Sequence, residues 1–310
     1  MAFEPPERLT RALGEARYTL NDGSADADGT RAWLDSLGKS VEEAVERGGL
    51  TVERVHVPGG RSSVVVLVRR ADGTPAVLKL APARCRPESE RAALAHWNGA
   101  GAVRLLPDDD GSPGVLLLER LHPDVSVRSL PEAKSMLEAA GTLRRLWVEP
   151  PDERVHAFES VADRTGRQAE AMRGSADAEV RGLVDAALVA RDELLAAPSE
   201  LRLLHGTFRQ SKVLAGERFP WLAVGPDPVV GECAFDLARL VRDRVEDVIA
   251  SPSGASITRR RVKRLAESLD LDQERVRGWA LFRAVESGVR ALRVGRSRDA
   301  ELLLEFSGWL

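Results

Sequence analysis

The sequence predicts an α+β fold with two lobes, and two patterns carry this prediction. The first third of the chain contains closely spaced β-like runs, whereas most of the remainder has helical periodicity. Strands followed by many helices are typical of α+β proteins. At 310 residues with 43% hydrophobic content, the chain is long enough to favour two lobes over one.

The first lobe is predicted from the order of its elements. Residues 1–30 are polar, and we expect an N-terminal extension with a flexible linker at 21–29. From Thr30 the apolar residues recur at helical spacing, and Gly48–Gly49 ends the helix. Three β-like stretches with short turns between them then predict an antiparallel meander at 50–57, 62–70 and 75–81.

The remaining elements follow from periodicity and breakers. A helix is predicted at Pro87–Trp97, then a hairpin that turns at Asp108–Gly114. The domain prediction is an extension at 1–30, a sheet lobe at 31–121 and a helical lobe at 122–310. In the helical lobe, short strands are predicted at LRLLHG and VLAGERFPWLAVG, and helices within 131–195 and at Asp236–Ile249, Thr258–Ser268 and Gln273–Leu292.

Composition excludes several classes of protein. A net charge of −3 gives no basic footprint for nucleic acid or for an anionic membrane surface. The longest apolar runs are too short to span a bilayer, and MAFEPPERLT does not resemble a signal peptide, so we expect a cytoplasmic protein. Cys85 and Cys233 allow one disulfide at most, and no zinc-ligand spacing occurs. Five lysines against 40 arginines indicate a high-GC source such as an actinobacterium, which makes each lysine notable.

Several stretches, in order along the chain, carry a family resemblance. They are RAWLDSL, GGRSSVVVLVRRADGTPAVLKL, ESERAALAHWNGAGAVRLL and LLLERL, then LLHG, GECAFDLARLVRDR and RVRGWALFRAV. The chain resembles the aminoglycoside and hydroxyurea phosphotransferases, most closely the streptomycin 6-kinase branch, over roughly residues 30–295. This resemblance implies a bilobal protein-kinase-like fold.

In the sheet lobe the resemblance implies a nucleotide site. A glycine-serine turn would lie over the phosphates, a strand lysine with a helix glutamate partner would reach the α- and β-phosphates, and a hinge would read adenine. Taken alone, the turn could be an ordinary hairpin turn, and the lysine could be a solvent-facing edge residue. The candidate nucleotide-binding residues are Gly60, Ser62, Ser63, Lys79, Glu90, Glu119 and Leu121.

In the helical lobe the sequence departs from the family at the positions of the catalytic base and the magnesium ligands. The family's catalytic loop reads HGDLHPGN, with the aspartate as base and the asparagine as a magnesium ligand. Here the loop reads HGTFRQSK, so Thr207 stands at the base position and Lys212 at the asparagine position. The family's second magnesium ligand is the aspartate of an IDP strand end, and Gly225 stands in its place.

These substitutions predict the loss of ordinary kinase activity. Two negative charges at the three family positions become one positive charge here, and magnesium needs the oxygen ligands that lysine and glycine side chains lack. A threonine hydroxyl cannot accept a proton near neutral pH. Asp227, two residues beyond Gly225, could restore one ligand after a register shift, although a turn residue between prolines is the simpler interpretation. Asp109 and Asp110 are interpreted as solvated loop residues.

Other residues have predicted structural or binding roles. His205 and Asp236 match the family residues that brace the catalytic loop. Lys212 could bind phosphate or a carboxylate together with Lys79, without a metal. A polyamine substrate would need acidic residues on the helical lobe, and the candidates for binding it are Asp243, Glu246 and Asp247. Arginines alternate with these residues, which favours the other interpretation, a solvated and charged helix face.

The sequence therefore favours a catalytically inactive, pseudokinase-like protein that acts by binding, as a regulator, scaffold or accessory protein in secondary metabolism. Its partner, a protein or a small molecule, is unknown, and neither nucleic acid nor a membrane is expected. ATP bound without Mg²⁺ is the one cofactor hypothesis, and no metal is expected. The alternative is a divergent ATP-dependent phosphotransferase, acting on an aminoglycoside or other hydroxylated molecule with relocated groups, or a kinase-fold enzyme of another reaction.

Overall fold

The chain folds into two compact units. The computed structural model describes residues 4–15, 25–107, 112–174, 178–197 and 200–310. Unit 1 comprises Met1–Asp124 with Ala215–Leu222, and unit 2 comprises Val125–Leu214 with Ala223–Leu310. Unit 1 contains the large sheet and unit 2 most of the helices, so the predicted α+β class is confirmed.

Residues Ala215–Leu222 belong to unit 1, whereas the sequence prediction assigned them to the helical lobe at 122–310. Arg218 explains this return, since its guanidinium donates to the carbonyl of Gly99 at 2.5 Å and to that of Ala102 at 3.1 Å. It also forms an ion pair with Glu119 at 2.7 Å. These bonds join the short segment to unit 1, which no local sequence pattern indicated.

Unit 1 is built on an antiparallel four-stranded sheet, as the meander predicted. Its valine and leucine runs favour strands because branched and apolar side chains pack well on a pleated surface. The register places Lys79 opposite Val65 on one neighbouring strand and opposite Leu116 on the other. Lys79 is thus on an inner strand, and the edge-residue alternative is wrong. In sheet order the strands are β1 (Thr51–Val55), β2 (Val64–Arg69), β3 (Pro75–Leu80) and β4 (Val115–Glu119).

Two N-terminal helices complete the core of unit 1. Helix α1 spans Glu7–Glu15 and helix α2 spans Ala25–Arg47. Leu9 and Leu13 of α1 are buried in the same hydrophobic cluster as the sheet residues. The expectation of a polar extension was therefore wrong here, because leucines four residues apart give α1 one apolar face.

Two predicted loops of unit 1 fall wholly or partly outside the described residues. Within the predicted linker at 21–29, residues 21–24 lie outside them and 25–29 begin α2. The predicted hairpin turn is also only partly described, and Asp109 and Asp110 lie outside the described residues. By contrast, helix α3 occupies Pro87–Trp97 as predicted, with proline in its first turn.

Unit 2 is mainly helical. Helix α10 lies at its centre, where Trp279 and Phe282 are fully buried and Phe235 meets Trp279 edge-on at 5.2 Å between ring centroids. The helices are α4 (Glu132–Leu146), α5 (Val161–Arg173), α6 (Ala178–Ala196), α7 (Cys233–Val241), α8 (Val245–Ile249), α9 (Gly254–Leu269), α10 (Gln273–Arg293) and α11 (Ser297–Ser307).

The predicted continuous helix at Asp236–Ile249 is wrong, because the chain breaks between α7 and α8. Arg244 has a left-handed backbone with φ of 58°. Its guanidinium donates to the carbonyls of Arg128 and Leu130, at 2.5 and 3.0 Å. These long-range bonds hold a conformation that local helical periodicity does not indicate.

The short strands frame the loops that carry the candidate site. Strand β6 (Arg202–Leu204) pairs antiparallel with β9 (Val229–Gly231) in unit 2. The chain passes between the units within the other three strands, β5 (His122–Ser126), β7 (Val213–Ala215) and β8 (Trp221–Ala223). Among the described helices, none is long and apolar enough to cross a membrane.

Candidate active site

The predicted nucleotide lysine of unit 1 forms a buried ion pair. The Lys79 ammonium donates to Glu90 Oε2, and the two side chains are only 10% and 6% exposed. Within the described part of the chain, Glu90 Oε1 is buried and has no hydrogen-bond partner. The pair joins β3 to α3 and leaves one carboxylate oxygen able to accept a further hydrogen bond.

The predicted phosphate turn is tight. A Cβ on Gly60 would lie 3.2 Å from the Ser63 carbonyl oxygen and 3.3 Å from its hydroxyl oxygen, closer than ordinary contact. Ser63 is buried, whereas Ser62 is exposed. The turn therefore folds closely on itself and leaves little room for a side chain at Gly60, and phosphate binding there stays a prediction.

The predicted hinge residues have structural partners. The Glu119 carboxylate accepts from the Arg104 backbone N–H at 2.8 Å and from Arg218 at 2.7 Å. Leu121 is buried. The side chain of Glu119 thus holds the segment in place, and only backbone groups of the hinge remain candidates for contact with a base.

In unit 2 the structure brings the three substituted catalytic positions together. The Lys212 ammonium donates to Thr207 Oγ1 and to the Gly225 carbonyl oxygen, each at 2.6 Å. The Thr207 hydroxyl itself donates weakly to the Gly225 carbonyl at 3.4 Å. The lysine cation thus lies between the two positions where the family has a base and a magnesium ligand.

A buried carboxylate supports this loop from behind. Asp236 accepts the backbone N–H groups of His205 at 2.7 Å and of Gly206 at 2.8 Å. Arg283 donates to the Gly206 carbonyl at 2.6 Å. Burial raises the pKa of Asp236 to about 6 although Arg283 and the two backbone donors favour its charged form. Asp236 and Arg283 therefore hold the backbone of this loop at His205 and Gly206.

His205 is a buried, neutral member of the same loop. Its Nδ1 accepts the backbone N–H of Thr207 at 3.3 Å, so Nε2 donates to the Val224 carbonyl at 3.2 Å. Burial, and then the positive charge of Lys212, lower its pKa well below the ordinary value. The imidazole packs edge-on against Phe208 and positions the loop backbone.

Asp227 already has a strong partner. Its carboxylate receives a two-pronged ion pair from Arg164, with both N···O distances at 3.1 Å. Its backbone N–H donates to the His205 carbonyl at 3.0 Å. The chain is therefore in the register that places Gly225, and not Asp227, beside Lys212. This register argues against the hypothesis that Asp227 restores a magnesium ligand.

The candidate polyamine residues separate into two environments. Asp243 accepts the Gln210 backbone N–H at 2.6 Å and is partly buried, and burial raises its pKa. Glu246 and Asp247 are exposed on α8. Asp243 thus holds the catalytic-loop backbone, and the structure does not gather the three carboxylates around one site.

Arginines near this loop were missed by the sequence analysis. Arg239 and Arg242 lie three residues apart at the end of α7, and Arg283 and Arg290 lie on α10, which packs against α7. Burial lowers the pKa of Arg239 to about 9, and Arg242, Arg209 and Arg290 lower it further by repulsion. Their helical spacing was the available signal, but it is inconspicuous in a chain with 40 arginines.

Magnesium does not fit this set of donors. Among the described residues, no three His, Cys, Asp or Glu side chains form a group that could hold a metal ion. An ammonium instead contacts the oxygen atoms of Thr207 and Gly225. No catalytic step through magnesium can be assigned to these residues.

Comparison with known proteins identifies the family. The family model for aminoglycoside/hydroxyurea antibiotic resistance kinases matches residues 48–295. The chain belongs to this family. It is 35% identical to a streptomycin 6-kinase of Streptomyces griseus over 88% of this chain and 91% of the relative. It is 36% identical to a hydroxyurea phosphotransferase of Kitasatospora aureofaciens over 90% and 82% of the two chains.

Solved structures agree with this fold. An amicoumacin kinase is similar with a TM-score of 0.65 and 13% identity, covering 90% of this chain and 94% of that chain. The aminoglycoside phosphotransferase APH(4)-Ia gives a TM-score of 0.61 at 15% identity over 88% and 97%. These likenesses concern the fold alone, and the family assignment makes this chain a phosphotransferase-like protein.

Proposed function

We propose that this phosphotransferase-family protein is catalytically inactive and acts by binding, as a regulator, scaffold or accessory protein. The observation that carries the proposal is the position of the Lys212 ammonium, 2.6 Å from both Thr207 Oγ1 and the Gly225 carbonyl. Under this proposal the Lys212 ammonium supplies the positive charge at this site in place of a metal ion.

Electrostatics supports the loss of metal-dependent chemistry. At an effective dielectric of about 20, two unit charges about 4 Å apart interact by about 4 kcal/mol. A divalent cation near Lys212 would meet this repulsion without a carboxylate from position 225 to offset it. Phosphoryl transfer in kinase folds depends on positioning and on metal-borne charge stabilisation, so its loss removes most of the catalytic power.

The hydrogen bonds of Thr207 also argue against a base at this position. One of its oxygen lone pairs accepts from Lys212, and its own proton points to the Gly225 carbonyl. A hydroxyl beside an ammonium does not remove a proton from a substrate alcohol near neutral pH. The residue supports the loop and cannot replace the family's aspartate.

Nucleotide binding without a metal is the second candidate function, and the Lys79–Glu90 pair favours it. A buried lysine paired with a carboxylate is costly to desolvate, and an apolar pair would be simpler for stability alone. The tight turn at Gly60 is compatible with a phosphate. Under this proposal ATP binds through unit 1 and remains intact.

The direct test is transfer of labelled γ-phosphate from ATP with Mg²⁺ to streptomycin and to hydroxyurea. A streptomycin 6-kinase assayed in parallel supplies the positive control, and a Lys79→Met variant supplies the background. We expect the wild-type rate to equal that background. A wild-type rate above it would support the divergent phosphotransferase instead.

Thermal unfolding with ATP tests the second candidate separately. We expect ATP to raise the melting temperature equally with EDTA and with Mg²⁺. The Lys79→Met/Glu90→Leu variant, which removes the ammonium without leaving Glu90 buried and unpaired, should lose that shift. A shift that requires Mg²⁺ would contradict metal-free binding, and no shift would remove nucleotide from the proposed ligands.

A further inference from the structure

Helix α1 contacts the glycine-serine turn of unit 1, residues 59–63, at both of its ends. Pro6 precedes the helix and is buried, and a Cβ on Gly59 would lie 3.5 Å from both Cβ and Cγ of this proline. Glu15, the last residue of α1, forms an ion pair with Arg61 at 2.6 Å. The turn is therefore held at two points by a segment near the start of the chain.

The same helix is bonded to the segment that leads into α3. Arg84 lies between β3 and α3, and its guanidinium donates to the Leu13 carbonyl at 3.0 Å. Leu9 and Leu13 are themselves buried in the hydrophobic cluster of unit 1. Helix α1 thus connects the turn to the element that carries Glu90.

Helix α1 lies on the face of the sheet opposite to Lys79. Successive side chains of a strand point to opposite faces. Leu78 and Leu80 belong to the same hydrophobic cluster as the leucines of α1, and Lys79 lies between them on β3. The helix therefore contacts the turn from the side away from Lys79.

The turn has little support from its own backbone. His56 donates its backbone N–H to the Val65 carbonyl at 2.8 Å and closes the base of the turn. Beyond that bond, and within the described ranges, no backbone N–H of residues 59–63 donates a hydrogen bond to another backbone group. Gly59 also has a left-handed backbone with φ of 74°. The contacts with α1 are therefore the main restraint at the tip of the turn.

We propose that α1 fixes the conformation of the glycine-serine turn and thereby controls ligand binding on the Lys79 face of unit 1. A segment that is ordered only when its ligand binds loses affinity to the entropy of ordering. The Glu15–Arg61 ion pair orders the turn in advance. The inference rests on the proposed nucleotide binding and assigns its regulation to the N-terminal helix.

Amide nitrogen relaxation of the full chain, measured by NMR, tests this role through the order parameters of Gly59 and Gly60. The variant Glu15→Ala removes the ion pair with the turn. The matched control is Glu7→Ala, which removes the other ion pair of α1, formed with Arg11 inside the helix. Alanine is a strong helix former, so neither variant weakens α1 itself.

We expect order parameters of about 0.85 for both glycines in wild type and in the Glu7→Ala control, and below about 0.6 in Glu15→Ala. The exchanged pair Glu15→Arg/Arg61→Glu restores the wild-type values. Calorimetric titration with ATP in EDTA supplies the second readout. The Kd should rise about tenfold in Glu15→Ala, because ordering of the turn then accompanies binding, and should not change in Glu7→Ala.

The melting temperature without ATP separates this role from general stabilisation. A partly exposed ion pair contributes little to stability, so Glu15→Ala should melt within about 3 °C of wild type. A larger fall would show that the pair stabilises unit 1 as a whole, and it would overturn a specific effect on the turn.

Two further results would overturn the proposal. One is wild-type order parameters at Gly59 and Gly60 in Glu15→Ala. The other is ATP binding by Glu15→Ala that is as tight as in wild type or tighter, which would leave nucleotide binding itself intact. Absence of ATP binding by wild type would instead refute nucleotide binding, and its control by α1 with it, so the wild-type titration distinguishes the two failures.

Discussion

Lys79 in unit 1 and Lys212 in unit 2 are two of only five lysines, and they have opposite kinds of partner. Lys79 is paired with a carboxylate, Glu90. Lys212 contacts the neutral oxygens of Thr207 and Gly225 at 2.6 Å. One lysine neutralises an acid, whereas the other places its positive charge against two uncharged oxygen atoms.

This difference lies at the loop positions where the sequence departs from the family motif. The scaffold of the loop remains, with Asp236 bonded to the backbone of His205 and Gly206. At the motif positions of the base and the magnesium ligands, the residues are Thr207, Lys212 and Gly225. An ammonium and a magnesium ion both need oxygen ligands, so Lys212 can satisfy the loop oxygens without supplying the divalent charge that phosphoryl transfer uses.

The largest expected effect concerns the unit 1 pair. Lys79→Met should lower the free energy of unfolding by about 3–5 kcal/mol, because it leaves the Glu90 carboxylate buried without a counter-charge. The double variant Lys79→Met/Glu90→Leu should recover most of that loss. Urea unfolding measures both, with the exposed Lys39→Met as control. A single variant as stable as the double would show that the pair is not coupled.

The retained loop backbone should be nearly as sensitive. Gly206 has φ of 75°, and a Cβ there would lie 1.9 Å from the Asp227 carbonyl oxygen. Gly206→Ala should therefore cost about 3 kcal/mol or more, from strain and displacement together.

Gly225→Ala is the matched control for that glycine. It has a similar φ of 60°, but the nearest atom to its Cβ would be Lys212 Nζ at 3.7 Å. Gly225→Ala should lower the free energy of unfolding only by the cost of a left-handed backbone at alanine, about 1–2 kcal/mol. Equal losses of unfolding free energy in the two alanine variants would contradict the proposed packing of the loop.

Removal of the internal cation should have a smaller effect. Lys212→Met leaves the Gly225 carbonyl without its main donor, which should cost about 1–3 kcal/mol. Lys263→Met, at an exposed position on α9, should change stability by less than about 0.5 kcal/mol. Urea unfolding of the two variants compares them directly, and equal small effects would mean that Lys212 does not hold the loop.

The smallest effect is a pH dependence from His205. Its folded-state pKa lies well below the ordinary 6.5, so its contribution to stability is complete above about pH 6.5 and is lost as the pH falls. Asp236 acts in the opposite direction, because its pKa is raised to about 6 in the folded state. Below that pH the folded protein binds a proton at Asp236 that the unfolded chain does not yet bind, and this raises the free energy of unfolding.

The free energy of unfolding should therefore begin to fall near pH 6.5, by at most about 1.4 kcal/mol per pH unit, and then flatten below about pH 6. Urea unfolding at several pH values, with His205→Gln as reference, measures the difference. Parallel pH profiles for the two proteins would exclude His205 as the source.

Local sequence patterns predicted the elements that depend on local physics. The valine runs gave the meander, and Pro87 marked the start of α3, so Lys79 and Glu90 could be placed on strand and helix. The substitutions at Thr207, Lys212 and Gly225 were visible from the family motif alone. Their mutual hydrogen bonds were not, since they depend on the fold of three separate stretches.

Long-range contacts account for what the sequence did not predict. The α7–α8 break depends on bonds from Arg244 to carbonyls more than a hundred positions earlier in the chain. The role of Asp243 depends on a backbone N–H of the catalytic loop. Arg239 escaped notice because the burial that lowers its pKa is a property of the folded unit, which no spacing of residues records.

The most direct measurement of the central claim is a titration with Mn²⁺ in the presence of ATP, followed by paramagnetic broadening of the Thr207 and Gly225 amide signals. A variant with Thr207→Asp, Lys212→Asn and Gly225→Asp restores the family residues and serves as the positive control. We predict that these signals stay sharp in wild type and broaden in the restored variant. Broadening in wild type would show that a divalent metal enters beside Lys212, and it would contradict the account.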